Sequence, residues 1–163
     1  MNEDRPKRKN ARLRNYDYSS PGIYFLTICT ENRKKLFWDT VGATIGRPQD
    51  VVLSECGKIV DDAIQSIPKI YSFVTVNSYV IMPNHIHLLI QIHADEYGRP
   101  MAAPTVSRII NHMKGFVSKK VGKSIWQKLY YDHIVRNEDD YNNTVKYICE
   151  NPVCWKNDEL YSE

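Results

Sequence analysis

The sequence predicts an α+β fold in which helices pack on one antiparallel β-sheet. Short runs rich in β-branched and aromatic residues, typical of strands, alternate with longer segments whose apolar residues recur at helical spacing. The 163 residues, 42% hydrophobic and 25% charged, suffice for one domain with a substantial core. No apolar run approaches the roughly 18 residues of a membrane span, so no membrane partner is expected.

The first third of the chain is predicted to contain one strand and one helix. A basic, poorly structured arm at residues 1–21 precedes the first strand, which covers residues 22–30. Residues 31–53 contain glycine and proline and are predicted to be mostly loop. A helix with an apolar stripe then begins at Ser54 and ends at Pro68.

The middle of the chain is predicted to contain a hairpin, a second helix and a fourth strand. Residues 73–82 and 85–92 are strands so close in sequence that an antiparallel hairpin is favoured. A loop at residues 94–104 leads to a helix over residues 105–121, which has an apolar stripe. Residues 129–135 form the fourth strand.

A last helix begins after Asn137, a residue that can cap it, and ends at Pro152. The order is therefore β-α-β-β-α-β followed by an additional C-terminal helix. This is the ferredoxin-like arrangement, in which helices cover an antiparallel sheet. We expect a single domain over residues 22–163, preceded by the basic arm at residues 1–21.

Two histidines, His85 and His87, lie two residues apart at the start of the third strand. Residues i and i+2 of a strand project from the same face, so the two imidazoles point into one small volume. Histidine is the commonest metal ligand, and the pair is a candidate metal site. The alternative is two unrelated polar residues on the wet face of a half-buried strand.

The last helix carries Tyr147 and Asn151 one turn apart, on the flank of its apolar stripe. A phenol is a candidate nucleophile that needs help from a metal or a base, and an amide oxygen can bind a metal. Tyr130 and Tyr131 on the fourth strand are rival tyrosines. Tyr147 can equally be a boundary aromatic that packs its ring and leaves its hydroxyl in water.

Basic residues are unevenly distributed, although the formal net charge is only +3. The candidate DNA-binding residues are Arg12 and Arg14 in the N-terminal arm and Lys114, Lys119 and Lys120 on the second helix. Basic arms and patches suit phosphate backbones. A basic terminus can equally be a solubilising tail.

The four cysteines, Cys29, Cys56, Cys149 and Cys154, form no C-x-x-C pair and are expected to be free thiols. An alternative is a structural zinc site that joins Cys149 or Cys154 to the two histidines. The N-terminus has no apolar segment typical of a signal peptide, so a cytoplasmic location is expected.

Three segments together resemble the Y1 transposases, and in particular the REP-associated tyrosine transposases, which are related to the smallest insertion-sequence transposases. Residues 77–90 resemble the HUH strand of that family, with two histidines around a hydrophobic residue. Residues 126–136 resemble the segment leading to the final helix, and residues 147–153 resemble the tyrosine helix. The likeness covers most of residues 12–157.

The resemblance implies a metal-dependent endonuclease and strand transferase, active in transposition on single-stranded DNA that carries a hairpin. By this resemblance His85 and His87 are metal ligands, with Mg²⁺ or Mn²⁺ as the ion. Tyr147 is the nucleophile, and its attack gives a 5′-phosphotyrosine and a free 3′-hydroxyl. Asn151 occupies the place of a third, amide ligand, where insertion-sequence enzymes generally have glutamine.

Two alternatives remain open from the sequence. One is a non-catalytic module of the same fold that binds structured nucleic acid. The other concerns assembly, since insertion-sequence relatives are dimers that exchange the tyrosine helix, whereas the REP-associated branch can act as monomers. The loops at residues 38–53 and 94–104 match no motif of the family.

Overall fold

A computed structural model describes residues 20–39, 51–94 and 106–161. Its strands and helices, in chain order, are β1 (Gly22–Cys29), α1 (Glu55–Ile70), β2 (Val74–Ile81), β3 (His85–Ile92), α2 (Val106–Val121), β4 (Tyr131–Val135) and α3 (Glu138–Glu150). Short 3₁₀ turns at Glu31–Arg33 and Trp155–Asn157 follow β1 and α3. The predicted order of elements is confirmed.

Several sequence predictions fall outside this part of the chain. Residues 1–19, which hold most of the predicted basic arm with Arg12 and Arg14, are not among the described residues. The same is true of residues 40–50 and 95–105, which make up most of the two predicted loops.

The four strands form one sheet in the order β2-β3-β1-β4, and every neighbouring pair is antiparallel. This order is the one expected for the ferredoxin-like fold. It places β1 and β3 in the centre, where each is hydrogen-bonded on both sides. The β1–β3 register pairs Thr27 with His87 and Cys29 with His85, so the histidines lie on a central strand.

Alternate residues of the two central strands form the hydrophobic core. Leu26 and Ile28 of β1 and Ile86 and Leu88 of β3 are fully buried and pack in one cluster with the apolar stripes of α1 and α2. The residues between them, the histidines included, point to the other face because side chains alternate along a strand. Helix α3 lies on that other face.

Side-chain caps fix where two of the helices begin. The Gly57 N–H donates to Ser54 Oγ at 3.0 Å, and the Asp140 N–H donates to Asn137 Oδ1 at 2.8 Å, which satisfies donors left free at a helix start. The prediction that α1 ends at Pro68 was wrong, because the helix continues to Ile70.

Because Pro68 lacks an N–H, α1 loses only the hydrogen bond from that residue to the carbonyl four residues earlier. The Tyr71 N–H still donates to Ile67 O at 2.9 Å, so the helix continues past the proline.

Strand β4 begins at Tyr131 rather than at residue 129. Among the described residues, no helix has the length and apolarity needed to cross a membrane.

Candidate active site

His85 and His87 lie side by side on β3, on the face that carries α3. Their side chains are buried, with 0% and 2% of their surface exposed, so the alternative of a wet strand face is wrong. The two Nε2 atoms are 3.1 Å apart. The convergence predicted from strand periodicity is therefore confirmed, and both imidazole rings are buried.

The side chain of Asn84 fixes which ring nitrogen of His85 carries the proton. Asn84 Nδ2 donates to the carbonyls of Leu160 at 2.8 Å and of Arg33 at 3.4 Å, which identifies the other amide atom as Oδ1. That oxygen lies 2.7 Å from His85 Nδ1 and accepts its N–H. The neutral ring therefore presents an unprotonated Nε2 to the site.

His87 is oriented by its neighbour across the β1–β3 ladder. The hydroxyl of Thr27 is 2.8 Å from His87 Nδ1. Hydrogen bonding of the second ring nitrogen is the usual arrangement of histidines that bind a metal through the first. Both imidazoles therefore have the support typical of ligands that bind through Nε2.

Burial keeps both imidazoles neutral at neutral pH. It lowers the pKa of His85 to about 3, with a further contribution from the positive charge of Arg33. Burial also lowers the pKa of His87 to about 3, with His85 adding to the effect and Asp158 opposing it. Neutral imidazole is the form that binds a metal.

The geometry of the pair fits a divalent cation. Two ligands at right angles around an ion, with bonds of about 2.1 Å, are about 3 Å apart. The Nε2 separation of 3.1 Å matches that spacing. A carboxylate completes the cluster, since the nearest ligand atoms of His85, His87 and Asp158 all lie within 4.8 Å of one another.

The sequence did not predict that Asp158 belongs to the site. It follows α3 by eight positions and lies on no regular helix or strand, so neither helical nor strand periodicity places it near the histidines. Its only sequence signal is the acidic character of the C-terminal residues, which is a common feature of solvated tails.

Tyr147 reaches the histidines from α3. Its ring packs edge-on against His87, with centroids 5.1 Å apart, and against Phe25 at 6.1 Å. It remains 47% exposed. Burial raises the pKa of the phenol, and this outweighs the opposite effect of the Asn151 side chain. The tyrosine and the histidine pair are thus brought together within one chain.

Asn151 lies one turn after Tyr147 and is 4% exposed. Its backbone has φ −57° and ψ −44°, so the helical conformation extends through it although Pro152 follows. Among the described residues, its Oδ1 is buried without a hydrogen-bond partner. A buried amide oxygen without a donor fits the role of a metal ligand.

The site opens into a cavity of about 760 Å³. Phe25, His87, Tyr147, Leu129 and Tyr131 all line it. Leu129 and Tyr131 are largely exposed there, so the cavity has apolar and aromatic surface beside the polar cluster. Both rival tyrosines, Tyr130 and Tyr131, therefore line the same cavity as Tyr147.

The candidate DNA-binding lysines of α2 fall into two groups. Lys119 and Lys120 are exposed at the end of the helix. Lys114 is only 8% exposed, and its Nζ donates to Gln127 O at 2.9 Å, while burial lowers the pKa of its ammonium. Lys114 therefore presents little surface to a phosphate and joins α2 to the segment before β4.

The cysteines give no support to a zinc site. Cys149 and Cys154 are exposed, Cys29 and Cys56 are partly buried, and none of the four is in a disulfide within the described part of the chain. Within the described ranges, the cluster built around the two histidines contains a carboxylate and no cysteine.

The fold and this site define a class of protein. The model of the Y1 transposases, described as IS200-like, matches residues 20–151. The chain belongs to the IS200-like transposase family, and it is accordingly a DNA-cleaving enzyme of the transposase type. Enzymes of this family generally use a divalent metal, in keeping with the cluster described above.

Similar proteins indicate to which branch of the family this chain is related. A Haemophilus influenzae protein described only as uncharacterized is 31% identical, over 94% of this chain and 93% of that protein. A second protein of the same strain, provisionally named a REP-associated tyrosine transposase, is 28% identical over 84% of this chain and 73% of its own length.

A solved structure is similar as well. It is a REP-associated tyrosine transposase bound to a REP hairpin, with a TM-score of 0.61 and 25% identity over 87% of this chain and 72% of that one. These likenesses confirm the resemblance to REP-associated tyrosine transposases.

Proposed function

We propose that the protein is a metal-dependent endonuclease and strand transferase that acts on single-stranded DNA through Tyr147. The observation that carries this proposal is the packing of the Tyr147 ring against His87, with centroids 5.1 Å apart, in one cavity. A tyrosine beside two imidazoles that can hold a metal has the groups that metal-assisted phosphoryl transfer uses.

Four side chains would carry the reaction. A bound Mg²⁺ or Mn²⁺, held by His85, His87 and Asn151, would supply Lewis-acid stabilisation of the charge on the scissile phosphate. Tyr147 Oη attacks phosphorus in line, and the bond from phosphorus to the 3′-oxygen breaks. The phenol proton passes to solvent, and the departing 3′-oxygen takes up a proton. The products are a 5′-phosphotyrosine and a free 3′-hydroxyl.

The reverse reaction would join strands. A 3′-hydroxyl from another strand attacks the phosphotyrosine, the bond from Tyr147 to phosphorus breaks, and the phenol is regenerated. The number of phosphodiester bonds is unchanged over the cycle, so no nucleotide is consumed. Strand transfer in transposition needs this exchange.

A single strand suits the surface around Tyr147 better than a duplex. Phe25, Leu129 and Tyr131 offer apolar and aromatic surface in the same cavity. Unpaired bases stack on such side chains, whereas bases in a duplex are already stacked on each other. A hairpin next to the cleavage site is supported by the similar structure, which is bound to a REP hairpin. Lys119 and Lys120, with Arg12 and Arg14 of the arm, would contact its phosphates.

The test is capture of a covalent adduct. A pool of oligonucleotides with a hairpin stem, randomised flanks and a label at the 3′ end is incubated with the protein and Mn²⁺, then run on a denaturing gel. A labelled protein band is expected for the parent and for Tyr131→Phe, and no band for Tyr147→Phe. An adduct that persists in Tyr147→Phe would contradict the proposal. Binding without any adduct would favour the non-catalytic module.

Because Tyr147 packs against the histidine of its own chain, we propose that a monomer contains the complete site. Mixing Tyr147→Phe with His87→Ala tests this. The two variants should fail to restore cleavage when mixed. Restored cleavage would instead indicate a dimer in which the tyrosine helix of one chain serves the histidines of the other.

A further inference from the structure

The C-terminal segment after α3 brings a carboxylate into the site. Asp158 lies outside residues 20–151, the part matched by the family model. Its side chain is 3% exposed, and its Oδ2 lies 3.7 Å from His85 Nε2. Burial of a carboxylate is costly unless a cation or a set of donors compensates it.

The position of Asp158 is held by its own segment and by the histidine strand. The Asp158 N–H donates to Trp155 O at 3.1 Å, and the Leu160 N–H donates to Asp158 Oδ1 at 2.7 Å. Asn84, which orients His85, also donates to Leu160 O at 2.8 Å. One carboxylate oxygen is thus satisfied, and the other faces the histidines.

The ligand atoms that meet there are two imidazole nitrogens and a carboxylate oxygen. His85 presents an unprotonated Nε2, because its Nδ1–H is donated to Asn84 Oδ1. His87 Nε2 is 3.1 Å from that nitrogen, and the Asp158 oxygen lies within 4.8 Å of both. His85 Nε2 and Asp158 Oδ2 are both acceptors 3.7 Å apart in a buried site, and a cation bound between them would offset their repulsion.

We propose that Asp158 is a metal ligand, so that the metal is bound by two histidines and a carboxylate. The inference rests on the proposed function and adds a residue to it. Two imidazoles and a carboxylate on one side of an ion leave the other positions open, as in other sites of this composition. A DNA phosphate oxygen, water and Asn151 would share those positions.

The mixed nitrogen and oxygen set also bears on the choice of ion. Mg²⁺ is found chiefly with oxygen ligands, whereas first-row transition metals, of which Mn²⁺ is the weakest binder in the series, take nitrogen ligands more readily. We therefore expect Mn²⁺ to bind this site more tightly than Mg²⁺ does.

Metal binding by the full chain, measured without DNA, tests the assignment. Free Mn²⁺ is followed by electron paramagnetic resonance during titration of the parent, Asp158→Asn, His87→Ala and Glu159→Gln. Asparagine at position 158 keeps an oxygen for the Leu160 N–H. Asp158→Asn should weaken Mn²⁺ binding by about tenfold or more. Glu159→Gln removes the same charge from an exposed neighbour and should bind like the parent.

The melting temperature without metal gives a second readout. In Asp158→Asn the amide N–H can donate to His85 Nε2, which replaces a repulsive contact by a hydrogen bond. We expect an equal or higher melting temperature for the metal-free variant and a smaller rise on adding Mn²⁺. A purely structural Asp158 would instead lower the metal-free melting temperature.

The outcomes separate this inference from the function on which it rests. Parent-like Mn²⁺ affinity in Asp158→Asn, with weakened binding in His87→Ala, would overturn the role of Asp158 and leave the histidine site intact. Absence of Mn²⁺ binding by the parent would overturn both.

Discussion

The Nε2 atoms of His85 and His87 lie 3.1 Å apart, and each ring makes a hydrogen bond through its other nitrogen, Nδ1. Asn84 holds His85, and Thr27 holds His87. The period of a strand places the two rings on one face, but these two contacts orient the rings, and the contact with Asn84 also sets the tautomer of His85. The site therefore depends on Asn84 and Thr27 as well as on the two histidines.

The first prediction concerns Asn84, which has two roles. Replacing it by alanine removes the acceptor for His85 Nδ1 and the donor to Leu160 O. We expect Asn84→Ala to weaken Mn²⁺ binding by about 10- to 100-fold. Its free energy of unfolding should fall by about 1–3 kcal/mol, because buried groups lose their partners.

Asn84→Asp is the matched control. It keeps an acceptor for His85 but loses the donor to Leu160, so Mn²⁺ affinity should fall less than in Asn84→Ala. Titration calorimetry and urea unfolding measure the two effects. Parent-like Mn²⁺ affinity in Asn84→Ala would contradict the orienting role.

The second prediction concerns Thr27. Thr27→Val replaces the hydroxyl beside His87 Nδ1 with a methyl group of similar size, so the core should be little disturbed. We expect weaker Mn²⁺ binding, by about tenfold. Long-range ¹H–¹⁵N NMR of the metal-free protein should report a changed tautomer balance for His87. Thr27→Ser retains the hydroxyl, and a loss of Mn²⁺ affinity as large as that of Thr27→Val would argue against this explanation.

The parts of the site on regular structure could be predicted from the sequence. His85 and His87 converge because strand residues alternate, and Tyr147 and Asn151 lie one turn apart because a helix repeats every 3.6 residues. The meeting of the two elements could not be derived from periodicity. It depends on which face of the sheet α3 covers, and the sequence indicated that only through family resemblance.

The roles of Asp158 and Lys114 were not predicted from the sequence, for two different reasons. Asp158 reaches the site through a 3₁₀ turn and through contacts with residues far away in the chain, so no local pattern reveals it. Lys114 was predictable, because it lies four residues after Ile110 and three before Val117, on the buried stripe of α2. A basic residue near Lys119 and Lys120 is also typical of a DNA-binding patch, and that pattern led to the opposite prediction.

The third prediction separates the lysines of α2 by the salt dependence of hairpin binding. Lys119→Met and Lys120→Met should each weaken binding and lower the slope of log affinity against log salt by about one. Lys114→Met should leave that slope unchanged, because the ammonium is bonded to Gln127 O and mostly buried. Fluorescence anisotropy with a labelled hairpin at several salt concentrations measures the slopes. A lowered slope in Lys114→Met would restore that lysine as a phosphate contact.

The fourth prediction concerns the acid stability of α3, the helix that carries Tyr147. His133 Nε2 lies 2.9 Å from Asp140 Oδ2 in the first turn of that helix. The hydrogen bond from His133 is the main cause that lowers the pKa of the Asp140 carboxyl below its ordinary value of 3.8. A carboxyl with a lowered pKa in the folded state stabilises the fold above its unfolded pKa. That stabilisation is lost as the pH falls through the folded pKa.

The parent should therefore be more stable than Asp140→Asn at pH 6, and the difference should shrink below pH 3.8 as the carboxyl is protonated. Urea unfolding at pH 6 and at acid pH measures it. Asp139→Asn removes the neighbouring carboxylate of the same helical turn and serves as the control. A difference between the parent and Asp140→Asn that stays constant down to the lowest pH would show that the His133–Asp140 pair does not position the start of α3 through charge.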